Sequence, residues 1–138
     1  LRFLPVTAFG FSLLLLISAC GDDGGGGSAC VEEGEAEGIL VTIGCRDPKT
    51  QPFYIWEEGG AFEIKVTRVS NDALAWKIFV PTLEDNITSP VIHGESRSGT
   101  LSEGDEIQLT PGVEYEVKVS RVGGTSGTRK FSIKPDAP

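Results

Sequence analysis

Histidine is almost missing from this chain: among 138 residues only His93 carries an imidazole. Any serine–histidine–acid hydrolase would have to be built on that one side chain, and no Gly-x-Ser-x-Gly elbow exists to present a nucleophile. His93 lies in "SPVIHGES", beside a turn, where the expected role is a strand-end residue rather than a general base. Basic residues are in deficit, with 12 Lys and Arg against 20 Asp and Glu and a net charge of −8. An acidic domain has no electrostatic reason to seek nucleic acid or an anionic lipid surface. Long apolar runs are also lacking. The oiliest stretch, Ala8 to Ile17, falls well short of the ~20 residues that span a bilayer. The glycine run in "GDDGGGGS" is followed by no Lys-Ser/Thr pair, so it is not a phosphate-binding loop.

What is present at the N-terminus is a short apolar core behind Arg2, ending in small residues, which is the pattern of a secretory signal. The ending Ile17-Ser18-Ala19-Cys20 resembles the lipobox of bacterial lipoproteins: an aliphatic residue, two small residues, then cysteine. That resemblance implies cleavage before Cys20 and a diacylglyceryl group on its sulfur, with palmitate-type chains holding the protein at a membrane. An ordinary signal cut after Ala19 and an uncleaved anchor are the alternatives. Gly21 follows the cysteine, and by the sorting rule of enteric-type lipoproteins this implies the outer membrane. The organisation read from the chain is therefore a signal peptide over residues 1–19, a lipidated cysteine and Gly-rich tether over 20–29, and a folded domain over 30–138. Gly/Ser segments behave as flexible coils, so the tether holds the domain about 15–20 Å from the bilayer.

With Cys20 lipidated, Cys30 and Cys45 remain, and in an oxidising compartment they are expected to pair; two free thiols are the alternative. No metal site is expected, because zinc takes a full tetrahedral ligand set and His93 is the only imidazole. No cofactor is expected either. The acidic run Glu32 to Gly38 lacks the residue pattern of a calcium loop and reads as a solvated segment.

The rest of the chain alternates. Phe62, Ile64 and Val66 are interleaved with polar residues, as are Val113, Tyr115, Val117 and Val119, while Leu74, Trp76, Ile78 and Val80 alternate with Ala75, Lys77 and Phe79. A period of two with one wet face means antiparallel strands. Shorter candidate strands are Ile39–Ile43, Phe53–Trp56, Pro90–His93, Glu106–Leu109 and Arg129–Lys134, separated by turn-rich segments such as "VSNDA" and "VGGTSGT". The expected fold class is all-β, an antiparallel sandwich of seven to nine short strands. Its core is expected to hold Ile39, Val41, Ile43, Phe62, Ile64, Val66, Leu74, Trp76, Ile78, Val80, Ile107, Leu109, Tyr115, Val117, Val119, Phe131 and Ile133.

"LTPGVEYEVKV", Leu109 to Val119, resembles the segment of fibronectin type III and related immunoglobulin-like domains that reads Leu-x-Pro-Gly-x-x-Tyr-x-Val-x-Val. The resemblance implies that Tyr115 closes a corner by bonding a backbone group upstream, with Leu109 packed beneath it. "LAWKIFVP" is similar to the tryptophan-bearing strand of those domains and gives Trp76 a structural role. Fold alone does not name a function. Outward aromatics can stack on sugars or peptides, and alternation makes Tyr54, Trp56 and Phe79 the candidates. The expectation is a lipid-anchored, non-enzymatic envelope module with an envelope protein or glycan as partner; the competing class is a hydrolase acting on glycan or peptidoglycan.

Overall fold

A computed structural model describes residues 30–57 and 59–135. The signal peptide, Cys20 and the glycine tether lie outside the described residues. Nine strands run through the described chain: β1 (Val31–Gly38), β2 (Val41–Gly44), β3 (Phe53–Trp56), β4 (Glu63–Arg68), β5 (Leu74–Phe79), β6 (Val91–Ile92), β7 (Leu101–Glu103), β8 (Glu114–Ser120) and β9 (Ser126–Ile133). They form two antiparallel sheets, one of six strands in the order β1-β9-β8-β4-β5-β7 and one of three in the order β2-β3-β6. The domain is thus an all-β sandwich.

Alternation is what makes the two sheets stick. Ile64 and Val66 on β4 turn inward, flanked in register by Ile78 and Trp76 on β5 and by Val119 and Val117 on β8. These rows meet Val41, Ile43, Tyr54, Trp56 and Val91 from the small sheet, all buried. Tyr54 of β3 meets Phe131 of β9 edge-on, ring centres 5.9 Å apart, so aromatic contacts span the gap between sheets. Full burial of each larger apolar side chain contributes about 1.5–3 kcal/mol.

Two residues expected inside are outside. Leu74 is 39% exposed because a bulge between Val66 and Thr67 on the partner register makes Ala75 an extra inward residue and turns Leu74 to solvent. Ile107 is 41% exposed because 106–109 forms no strand; in place of a backbone ladder it has single backbone bonds, Glu106 N–H to Ala75 and Leu109 N–H to Thr50. The outermost strand there is β7 instead. Ile39 and Phe62 are partly buried against the core. The acidic run over 32–38, read as merely solvated, is the edge strand β1, and most of its side chains are indeed exposed.

Cys30 and Cys45 form a disulfide. Cys30 precedes β1 in the large sheet and Cys45 follows β2 in the small one, so the bridge ties the sheets together at one corner. Its sequence separation is 15 residues, and in the chain-entropy picture closing such a loop is worth up to about 3 kcal/mol. Urea unfolding with and without reductant is expected to show a loss of that order; coincident curves would mean the corner holds without the bond.

Candidate functional site

The residues with the most perturbed chemistry gather in the core and at its margin. Alternation with Val91 points His93 inward, and the ring is completely buried. Its Nε2 lies 2.8 Å from the backbone carbonyl of Glu106, which can only accept, so Nε2 carries the proton. Nδ1 is then an acceptor and takes a hydrogen bond from the Tyr54 hydroxyl at 2.8 Å. Trp76 packs against the imidazole at a centroid distance of 4.7 Å. Both ring nitrogens are therefore engaged with protein groups. Burial drives the imidazole pKa down to about 4, outweighing the pull of the Glu106 carbonyl and charge, so the ring is neutral at pH 7. Burial also pushes the Tyr54 hydroxyl well above its usual range, with a smaller contribution from Tyr115.

A second network adjoins the first. Arg68 grips the Glu106 carboxylate with two bonds, Nε to Oε1 at 3.1 Å and Nη2 to Oε2 at 2.8 Å. The Tyr115 hydroxyl donates to the same carboxylate and accepts from the Thr110 N–H at 2.8 Å. Burial alone would raise the Glu106 pKa; the bonds from Arg68 and Tyr115, with the Arg68 charge, outweigh it and hold the carboxyl below its usual range. The turn before Tyr115 is built by its own chemistry. Val113 N–H bonds back to Thr110 C=O, Pro111 leads, and Gly112 takes φ 86°, as a type II turn demands.

Perturbed titratable groups gathered in a cleft mark a candidate catalytic site. Here Tyr54, His93 and Tyr115 lie in the packed interior while Glu106 and Arg68 sit partly exposed at its margin, each one held by a structural hydrogen bond. Tyr54, His93, Glu106 and Tyr115 line neither the surface pocket beside Glu35 and Lys130 nor the one beside Phe62 and Arg121. Among the described residues, no cluster of histidine, cysteine and carboxylates has the arrangement of a metal site.

Two of the candidate binding aromatics are corrected. Tyr54 is fully buried and Trp56 is 4% exposed, because their face of β3 is the one that meets the large sheet; Ile55, on the opposite face, is exposed. Trp56 further anchors its indole N–H on the Gly59 carbonyl. Phe79 faces outward and is half-buried, with Lys77 lying 4.9 Å above its ring and exposed Leu101 opposite in register. Trp76 and Tyr115 are both interior, with β4 standing between their strands.

The sheet edges, another means of binding a partner strand, are mostly closed. On β2 the Ile43 N–H is taken by Glu33 at 2.8 Å and the Val41 carbonyl by Arg129 at 3.0 Å, both side chains reaching over from the large sheet. On β6 the Ile92 N–H is taken by Glu95, while Arg97 caps the carbonyls of Thr88 and Pro90. Edge β1 presents exposed Glu32, Glu35 and Glu37, charges that oppose pairing with another strand.

No family model matches the chain, and comparison with curated proteins and with solved structures found no significant similarity.

Proposed function

We propose that this chain is a lipid-anchored, non-enzymatic lipoprotein of the bacterial envelope, held in the outer membrane by acyl chains on Cys20 and displaying its β domain as a binding or structural module. The observation that carries the reading is the Ile17-Ser18-Ala19-Cys20 motif, placed after a short apolar core and before a Gly-rich spacer that ends where the sandwich begins. One acyl chain holds a protein only marginally, whereas two or three make the attachment durable. The non-enzymatic half is supported by His93, whose two nitrogens are committed to Tyr54 and Glu106 in the core. Within that reading the domain is an immunoglobulin-like sandwich of the fibronectin type III kind, supported by the hydroxyl of Tyr115 closing on the amide of Thr110.

Cys20→Ala separates the anchor from the domain. The variant is expected in the soluble fraction after a high-salt wash, while the parent chain sediments with membranes. A variant that still sediments would defeat the anchor.

A further inference from the structure

Where β8 runs into its hairpin with β9, a pocket of about 200 Å³ opens among Phe62, Lys118, Ser120, Arg121, Thr125 and Ser126. The chain carries a net charge of −8, yet the described lining of this pocket holds two cations and no carboxylate. Among the described residues Lys118 enters no ion pair. Arg121 is the more telling side chain. Its Nη2 donates to the Glu57 carbonyl, but its Nε is buried with no hydrogen-bond partner, the only such side-chain atom among the described residues. Buried donors are nearly always satisfied, and a guanidinium donates only, so the missing partner is an acceptor.

We propose that this pocket binds a small oxyanion, a phosphate or carboxylate group, free or at the end of a larger molecule. On binding, the Arg121 side chain would turn to present Nε–H and a terminal N–H to two oxygens, the fork geometry that suits such groups. Lys118 adds a second positive charge. Ser120 and Ser126 stand opposite each other in the β8–β9 register, and their hydroxyls supply neutral donors. Phe62 forms an apolar wall for whatever carries the anion. The volume lies below the ~300–1,000 Å³ of pockets that enclose drug-sized ligands, so the pocket takes a group rather than a whole metabolite. The hairpin positions the site firmly: Arg121 N–H bonds the Thr125 carbonyl at 3.0 Å, and Gly124 N–H bonds the Arg121 carbonyl at 3.3 Å. The envelope setting of this ligand rests on the binding-module reading above; the chemistry of the pocket does not.

The test uses the full chain, ¹⁵N-labelled in non-ionic micelles, titrated with inorganic phosphate, dimethyl phosphate and acetate, with sodium chloride at matched ionic strength as control. The Arg121 Nε–H signal and the Thr125 and Ser126 amides are expected to shift saturably with at least one oxyanion and not with chloride. Arg121→Gln is expected to weaken binding about tenfold or more, as loss of a charged hydrogen bond does. Lys118→Gln is expected to weaken it less. A response to inorganic phosphate alone marks free phosphate or a monoester, a response to dimethyl phosphate marks a headgroup-like diester, and a response to acetate marks a carboxylate terminus. No saturable shift with any of the three, shifts matched by chloride, or unchanged binding in Arg121→Gln overturns the proposal. The anchor takes no part in this titration, so failure here leaves the Cys20 reading standing, and failure of the Cys20 release experiment leaves this one standing.

Discussion

Trp76→Ala is expected to lose about 3–5 kcal/mol of stability, the usual range for removing a buried tryptophan. The upper part of that range applies because the site has little room to collapse. Trp76 is 1% exposed, flanked in register by Val66 and packed against the His93 ring. On the strand's other side the chain after β7 presses close: a Cβ added at Gly104 would lie 2.4 Å from the Ala75 carbonyl oxygen and 2.7 Å from the Trp76 Cα. That backbone is held by the Glu106 N–H bond to Ala75, so it does not slump into a cavity. Small domains have a total stability of about 5–15 kcal/mol, so the variant sits near the edge of folding. Urea unfolding followed through Trp56, itself buried in the opposite sheet, reads the change. Trp76→Phe keeps a ring against His93 and is expected to lose clearly less, which keeps the comparison readable if the alanine variant does not fold. A loss below about 1 kcal/mol in Trp76→Ala would place the indole outside the load of the core, contrary to the cavity cost.

Much of this interior was legible in the sequence, and the exceptions have physical causes. β4 and β8 alternate apolar and polar residues without interruption, so their inward faces follow from period two alone. β5 places its large apolar residues at the same spacing, with Ala75, Lys77 and Phe79 between them, yet its bulge sends Leu74 outward; the extra residue leaves no mark on the hydrophobic pattern. β1 was hidden for the opposite reason. As an edge strand it needs only Val31 inside, and its acids serve to keep the edge unpaired, so it reads as a solvated run. β3 puts Phe53 and Ile55 on one face and Tyr54 and Trp56 on the other, and period two alone does not say which face is inward; the sheet on top of Tyr54 and Trp56 decided it. The Pro111-Gly112 turn and the Tyr115 hydroxyl are local in sequence, and the resemblance pointed to them. The links among Tyr54, His93, Glu106 and Arg68 join residues 39, 13 and 38 positions apart, and nothing in a single sequence pairs them. The parity of His93 with Val91 was the one available signal that its ring turns inward.

The same imidazole makes stability depend on pH. The folded value of about 4 lies below the ordinary 6.5, so the fold favours neutral His93 and the unfolded chain binds the proton first. The stabilisation is whole above about pH 6.5 and falls as pH drops toward 4, by about 2 kcal/mol at pH 5 and about 3 kcal/mol at pH 4. The structural reason is burial: a charged ring would lose its water in a pocket closed by Trp76 and Tyr54, and the carbonyl and charge of Glu106 make up only part of that loss. Glu106 acts in the next window down. Its carboxyl is held below the usual range, so its contribution is present above the ordinary 4.5 and is lost only as pH falls further. Relief of net negative charge on acidification works against both effects. His93→Gln separates these contributions, because an amide can donate to the Glu106 carbonyl and accept from Tyr54 without titrating. Urea unfolding at pH 7.5 and pH 5.2, above the pI of about 4.6, is expected to show the parent chain losing stability on acidification and the variant losing much less. Equal slopes in the two proteins would mean that the proton enters elsewhere and that His93 is not the group whose burial makes stability depend on pH.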